Sequence, residues 1–199
     1  MHSLKFLAFL VSAILTVSAT AQIDIAAHTQ LKNSKIDINS TSLVLYASQG
    51  DLSMVSLLVR AGVSPSESEP QRKVTAFHAA TTQGHLKVIA SLLKSGALIN
   101  AEDMCGYTPL MVAAYFGQSD AVSMLVRNGG VLLDHQAHCG LTPLIAAVQS
   151  ANIKIVDTLL AAGAKPQMQD VFGNTALKTA QQSQRNEIAA RIQAALMAQ

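Results

Sequence analysis

Gly106-Tyr107-Thr108-Pro109-Leu110 returns 34 residues later as Gly140-Leu141-Thr142-Pro143-Leu144. Degraded copies stand at Val74-Thr75-Ala76-Phe77-His78 and at Gly173-Asn174-Thr175-Ala176-Leu177, and Thr41-Ser42-Leu43 lies 34 residues ahead of Thr75. A fixed period of 33 or 34 residues constrains the fold severely. Each period is one supersecondary unit that cannot bury its apolar face alone, so the units must stack into one continuous core. Such a chain is not expected to fold as a globule around one active-site cleft.

A second set of markers defines what a unit contains. Counting from each threonine, position +9 holds Gly50, Gly84, Gly117, Ala151 and Gln184, and position +21 holds Gly62, Gly96, Gly129 and Gly163. Between these marks lie two helical stretches. The first opens with Thr as N-cap and Pro at the first helical position, which satisfies one orphan N–H and removes another. It continues through small residues such as Val112-Ala113-Ala114, which allow close helix approach. The second is amphipathic, with Leu52, Val55, Leu58 and Val59, or Ile153, Val156, Leu159 and Leu160, on one face. The glycine at +21 supplies the left-handed residue that ends it.

These markers are similar to those of the ankyrin repeat over roughly residues 31–199. Thr75-Ala76-Phe77-His78-Ala79-Ala80, then Gly84-His85-Leu86, Leu92-Leu93-Lys94-Ser95-Gly96-Ala97 and Asn100 follow the family's T-P-L-H-x-A-A, G-H and L-L-x-x-G-A-x-x-N. The resemblance implies an all-α solenoid of about five helix-turn-helix repeats, with β-hairpin or loop fingers and capping ends. Residues 22–40 are expected to form an N-terminal cap or partial repeat. Residues 41–74, 75–107, 108–141 and 142–174 form the first four repeats, and 175–199 a C-terminal capping repeat. Arg185, Glu187, Arg191 and Gln193 in that last unit give it the polar outer face a solenoid end requires.

The N-terminus speaks to compartment. Met1-His2-Ser3-Leu4-Lys5 is a short basic start, and the apolar run from Phe6 to Ala19 is short for a bilayer span. It ends in Ala19-Thr20-Ala21, a small-residue cleavage site. Residues 1–21 therefore read as a signal peptide, cleaved after Ala21, and a periplasmic or secreted destination of bacterial type is expected. No cysteine follows the apolar run, which argues against a lipid anchor.

A formal net charge of +2, with no basic stripe or polybasic run, makes nucleic acid and anionic membrane poor partners. No catalytic constellation, nucleophile elbow, HExxH or phosphate-cradling loop is present, so no enzyme activity, cofactor or small-molecule substrate is expected. His78 and His85 fall on the family's structural positions, where the resemblance implies that the imidazole bonds backbone. Cys105 and Cys139 occupy the same place in consecutive repeats. Stacked units lie roughly 8–10 Å apart, against about 7 Å between the Cα atoms of a disulfide, which disfavours a Cys105–Cys139 bridge. Cys105, His135, His138 and Cys139 are weak metal candidates, since His-x-x-His-Cys matches no standard zinc spacing, and solvated loop residues are the simpler expectation.

In arrays of this kind partners bind the fingers and the inner-helix ends that line the concave face. Mapped residue by residue, the partner-binding candidates are Met104, Tyr107, Tyr115, Phe116, His138, Leu141 and Phe172. The chain has three tyrosines, five phenylalanines and no tryptophan, and most of those outside the leader fall in this set. Exposed aromatics are the usual anchors of protein recognition. The expected function is binding of one or more proteins, to protect or modulate a partner; the resemblance to exported bacterial members implies an antioxidant enzyme such as catalase. An immunity or inhibitor protein against a periplasm-delivered toxin is the alternative, and metal or haem binding a weaker third.

Overall fold

The computed structural model describes residues 24–198. They form α1 (Ile25–Asn33) and then five helix pairs: α2 (Ser40–Gln49) with α3 (Leu52–Arg60), α4 (Ala76–Gln83) with α5 (Leu86–Lys94), α6 (Pro109–Tyr115) with α7 (Ser119–Asn128), α8 (Pro143–Gln149) with α9 (Ile153–Ala161), and α10 (Ala176–Gln182) with α11 (Asn186–Met197). Two layers result. The inner layer stacks α2, α4, α6, α8 and α10 in order, and the outer layer stacks α1, α3, α5, α7, α9 and α11. Helix α1 packs on its outer-layer neighbour α3, and Asp24 ties it to Arg60 at the end of α3 through an ion pair and a backbone hydrogen bond. The all-α solenoid expected from the sequence is what forms. Among the described residues β-structure is limited to the isolated bridges Ser68–Thr75 and Gln169–Thr175, so the fingers are tight turns rather than extended hairpins.

The repeat markers act as local chemistry demands. Thr75, Thr108, Thr142 and Thr175 each cap an inner helix by accepting a hydrogen bond from the backbone N–H three residues on, a contribution of about 1 kcal/mol per cap. Repeat one departs from the pattern. Asn39, not Thr41, caps α2, accepting from Ser42 N, so this helix starts two residues early. The stop glycines at +21 all carry positive φ, from 76° to 103°.

Small inner residues, Ala79, Ala80, Ala113, Ala114, Ala146 and Ala147, are buried and let successive inner helices approach. Leu58, Ile89, Leu92, Leu125, Ile155 and Leu159 fill the space between layers and are fully buried; each is worth about 1.5–3 kcal/mol relative to exposure.

Polar side chains staple one repeat to the next. At the start of the outer helices, His85 Nε2–H donates to Ser48 O (3.0 Å), Gln118 Nε2 to Thr82 O (2.9 Å) and Asn152 Nδ2 to Gly117 O (3.1 Å). In the loops, Ser66, Asn100 and Asp134 accept from the backbone N–H of Leu98, Leu132 and Lys165. These bonds satisfy helix-end and loop groups that would otherwise be orphaned, and they set the stacking register.

Candidate functional site

Four fingers project at residues 69–74, 103–107, 137–141 and 170–174. Each is closed by a backbone hydrogen bond from its first residue to the carbonyl of its last. In three of them a carboxylate folds the turn: Glu69 accepts from Gln71 N and Arg72 N, Asp103 from Cys105 N and Tyr107 N, and Asp170 from Phe172 N and Asn174 N. Partial burial pushes the Asp170 carboxyl up, but the hydrogen bonds from Asn174 and Phe172 outweigh it, leaving it below the ordinary range and ionised at neutral pH. Ala137 stands where a carboxylate would be, and Gln136 reaches across instead to the carbonyls of Gly140 and Gln169.

The fingers are knitted by backbone rungs: Met104 N donates to Arg72 O (2.9 Å), His138 N to Cys105 O (3.0 Å) and Val171 N to Cys139 O (3.1 Å). Gly106 and Gly140 make this approach feasible. A Cβ on Gly140 would lie 2.7 Å from Val171 N and 2.8 Å from Asp170 Cα.

His78 anchors a finger to an inner helix. Its Nδ1 accepts from Thr75 N (3.3 Å), so the proton sits on Nε2, which donates to Tyr107 O (2.9 Å). Burial lowers its pKa below 6.5 despite the Tyr107 carbonyl, which acts in the opposite sense. His135 Nε2 similarly bonds Gly106 O (3.0 Å) and lies 3.6 Å from Glu102. Cys105 and Cys139 are both free and exposed. Among the described residues no three His, Cys, Asp or Glu side chains gather where they could hold a metal ion.

A groove of about 470 Å³ opens between the fingers and the ends of α6 and α8. Tyr107, Tyr115, Phe116, Leu141 and Phe172 all line it, together with Met111, Val112, Cys139, Gln149 and Asp170. Five of the seven partner-binding candidates thus converge. Their exposures sort them by role: Phe172 is 80% exposed, Phe116 56% and Tyr115 50%, whereas Leu141 is only 6% exposed. Leu141 is therefore wall rather than free anchor. The Tyr115 and Phe116 rings meet edge-to-face, centroids 5.3 Å apart, the arrangement aromatic quadrupoles favour. Met104 and His138 are exposed on the fingers but do not line the groove. Met111 and Val112 also line the groove and were not among the sequence candidates: Val112 read as part of the small-residue stretch that packs against neighbouring helices, and Met111 is buried.

The fold and its stapled fingers meet the comparison with known families directly. The model for ankyrin repeats (three copies) matches residues 18–103, 43–133 and 98–170. The chain belongs to the ankyrin-repeat family. It is similar to human palmitoyltransferase ZDHHC13, at 34% identity over 149 residues, covering 74% of this chain and 24% of that protein. It is also similar to mouse protein phosphatase 1 regulatory subunit 27, 33% identical over 81 residues (41% of this chain, 53% of that one). Mouse protein phosphatase 1 regulatory subunit 12A is 39% identical over 54 residues, covering 27% of this chain and 5% of that one. The chain therefore spans only part of the length of these relatives. Ankyrin arrays are protein-interaction modules, and among the described residues no helix is long and apolar enough to cross a membrane.

Proposed function

We propose that this chain is an exported, non-catalytic ankyrin module that binds one partner protein along the finger side of its inner helices and thereby protects or modulates it. The observation that carries this is the groove itself: an apolar channel walled by Tyr107, Tyr115, Phe116 and Phe172, three of them half or more exposed, on a surface built from rigid, cross-bonded fingers. Exposed aromatics in a preformed concavity gain apolar burial with little ordering cost when a partner segment docks. Two relatives whose names mark them as regulatory subunits fit a module that acts by binding. Export after cleavage at Ala21 puts the partner in the periplasm or outside the cell, and an antioxidant enzyme such as catalase is the first to try, a delivered toxin the second.

N-terminal sequencing of the exported protein tests the compartment, with Gln22 as the expected first residue. Binding of purified candidates to the wild-type protein and to Tyr115→Ala/Phe116→Ala tests the groove. Binding retained by a double variant that still melts cooperatively overturns the assignment.

A further inference from the structure

We propose that the groove recognises its partner by an arginine side chain, which enters among the aromatic rings and pairs with the Asp170 carboxylate; this rests on the reading of the groove as the partner-binding surface. The lining sets a single charge among rings. Tyr107, Tyr115, Phe116 and Phe172 wall the groove, and among the described residues Asp170 is the one charged group beside them. Carboxylates fold three of the fingers, but Glu69 and Asp103 do not line this channel, and Asp170 does.

The carboxylate has capacity left. Its Oδ1 accepts from Phe172 N (2.9 Å) and Asn174 N (2.8 Å), and its Oδ2 from Asn174 Nδ2 (3.1 Å), three of the roughly four acceptor sites a carboxylate offers. It is ionised at neutral pH, because the burial that raises its pKa is outweighed by the hydrogen bonds from Asn174 and Phe172. Lys178 adds to that effect from nearby, but its ammonium turns to the Gly173 carbonyl (3.4 Å) and does not line the groove. A partner that covered the groove with apolar side chains alone would bury the anion unpaired, which is costly. A cation removes that cost, and the aromatic faces attract it as well. Arginine suits the site better than lysine. Its planar guanidinium stacks on rings and is more weakly hydrated, and its fork can give one N–H to Asp170 Oδ2 and another to the side-chain oxygen of Gln149, which also lines the groove. The volume of about 470 Å³ admits that side chain with part of the segment that carries it.

Random short peptides displayed on phage and selected on the wild-type protein, then counter-screened on Tyr115→Ala/Phe116→Ala, test this. Peptides that need the two rings are expected to share an arginine. Replacing that arginine by citrulline, its neutral isostere, should weaken binding about ten-fold, and replacing it by lysine about three-fold. On Asp170→Asn, which keeps the oxygen that folds the finger, the arginine-to-citrulline ratio should fall to about two-fold, the part the rings supply. The citrulline comparison on the wild type stands whether or not that variant folds. Ring-dependent peptides without arginine, or no enrichment at all, overturn the arginine proposal while the groove's binding role stands. A citrulline ratio near one on the wild type also overturns it, as does a ratio unchanged in a folded Asp170→Asn protein. Enriched peptides indifferent to the two rings overturn both readings.

Discussion

Gly140→Ala isolates the contact between fingers. Gly140 sits at φ +75°, where a Cβ would meet backbone: Val171 N at 2.7 Å, Asp170 Cα at 2.8 Å and Asp170 C at 2.9 Å. The left-handed conformation alone costs an alanine about 1–2 kcal/mol. Relief of the clash requires the 170–174 finger to move away, which adds about 1–3 kcal/mol of packing strain. The Val171 N–Cys139 O rung goes with it, for about 0.5–1.5 kcal/mol. The expected loss is therefore about 2.5–6.5 kcal/mol, a large share of the roughly 5–15 kcal/mol that holds a domain folded.

The chain contains its own controls. Gly173 occupies the same fingertip place at φ +71°, with Gln169 Oε1 at 4.0 Å its nearest neighbour, so Gly173→Ala should lose only the conformational part, about 1–2 kcal/mol. Gly106, with His138 N at 3.2 Å and Ala137 Cα at 3.3 Å, should fall between them. Urea denaturation followed by circular dichroism reads all three, with unchanged slopes showing that the same cooperative unit is unfolding. If Gly140→Ala proves no worse than Gly173→Ala, the fingers do not stack as described.

Other consequences are as direct. Ala151 stands at φ 55° at the end of α8 and is exposed, so Ala151→Gly should stabilise by about 0.5–1 kcal/mol, strain relief exceeding glycine's entropy cost; a lower melting temperature contradicts this. His78 is held neutral by burial, its pKa below 6.5. The unfolded chain thus binds the proton more readily, and the contribution is complete above pH 6.5 and declines as pH falls below it. Urea midpoints measured across that window should fall for the wild type and flatten in His78→Gln. Tyr115→Ala with Phe116→Ala removes two half-exposed rings and should cost no more than about 2 kcal/mol, leaving one cooperative thermal transition.

Much of this was legible in the sequence because the repeat is written in residues with a single physical use. Thr before Pro caps a helix, and Gly at +21 ends one. Even Ala151 and Gln184, at +9 where other repeats have glycine, adopt the left-handed φ of 55° and 56°, since register overrides residue preference. Tyr115 and Phe116 were legible through the resemblance, which implies contact positions at the inner-helix end where they stand, and both are half exposed. What escaped depended on three-dimensional neighbours. Leu141 looked like a finger contact, but its side chain is buried and serves as groove wall. Val112 looked like a helix-packing residue, and nothing local in the sequence tells a groove lining from an interior. Asn39 took the cap from Thr41 because its side chain, two residues upstream, accepts from Ser42 N, and the repeat period marks only the threonine. The Cys139–Tyr107 contact links residues 32 apart on neighbouring fingers, and no local pattern announces it.

The groove's role is tested most directly by site-specific photo-crosslinking in the native cell. A photoreactive side chain in place of Phe172 lies in the groove, and one in place of Leu98 lies on an exposed loop outside it. One partner protein should be trapped from position 172, lost when Tyr115→Ala/Phe116→Ala is added, and absent from position 98. A partner trapped from position 98 and not from 172, or trapped at 172 regardless of the double substitution, would contradict the account.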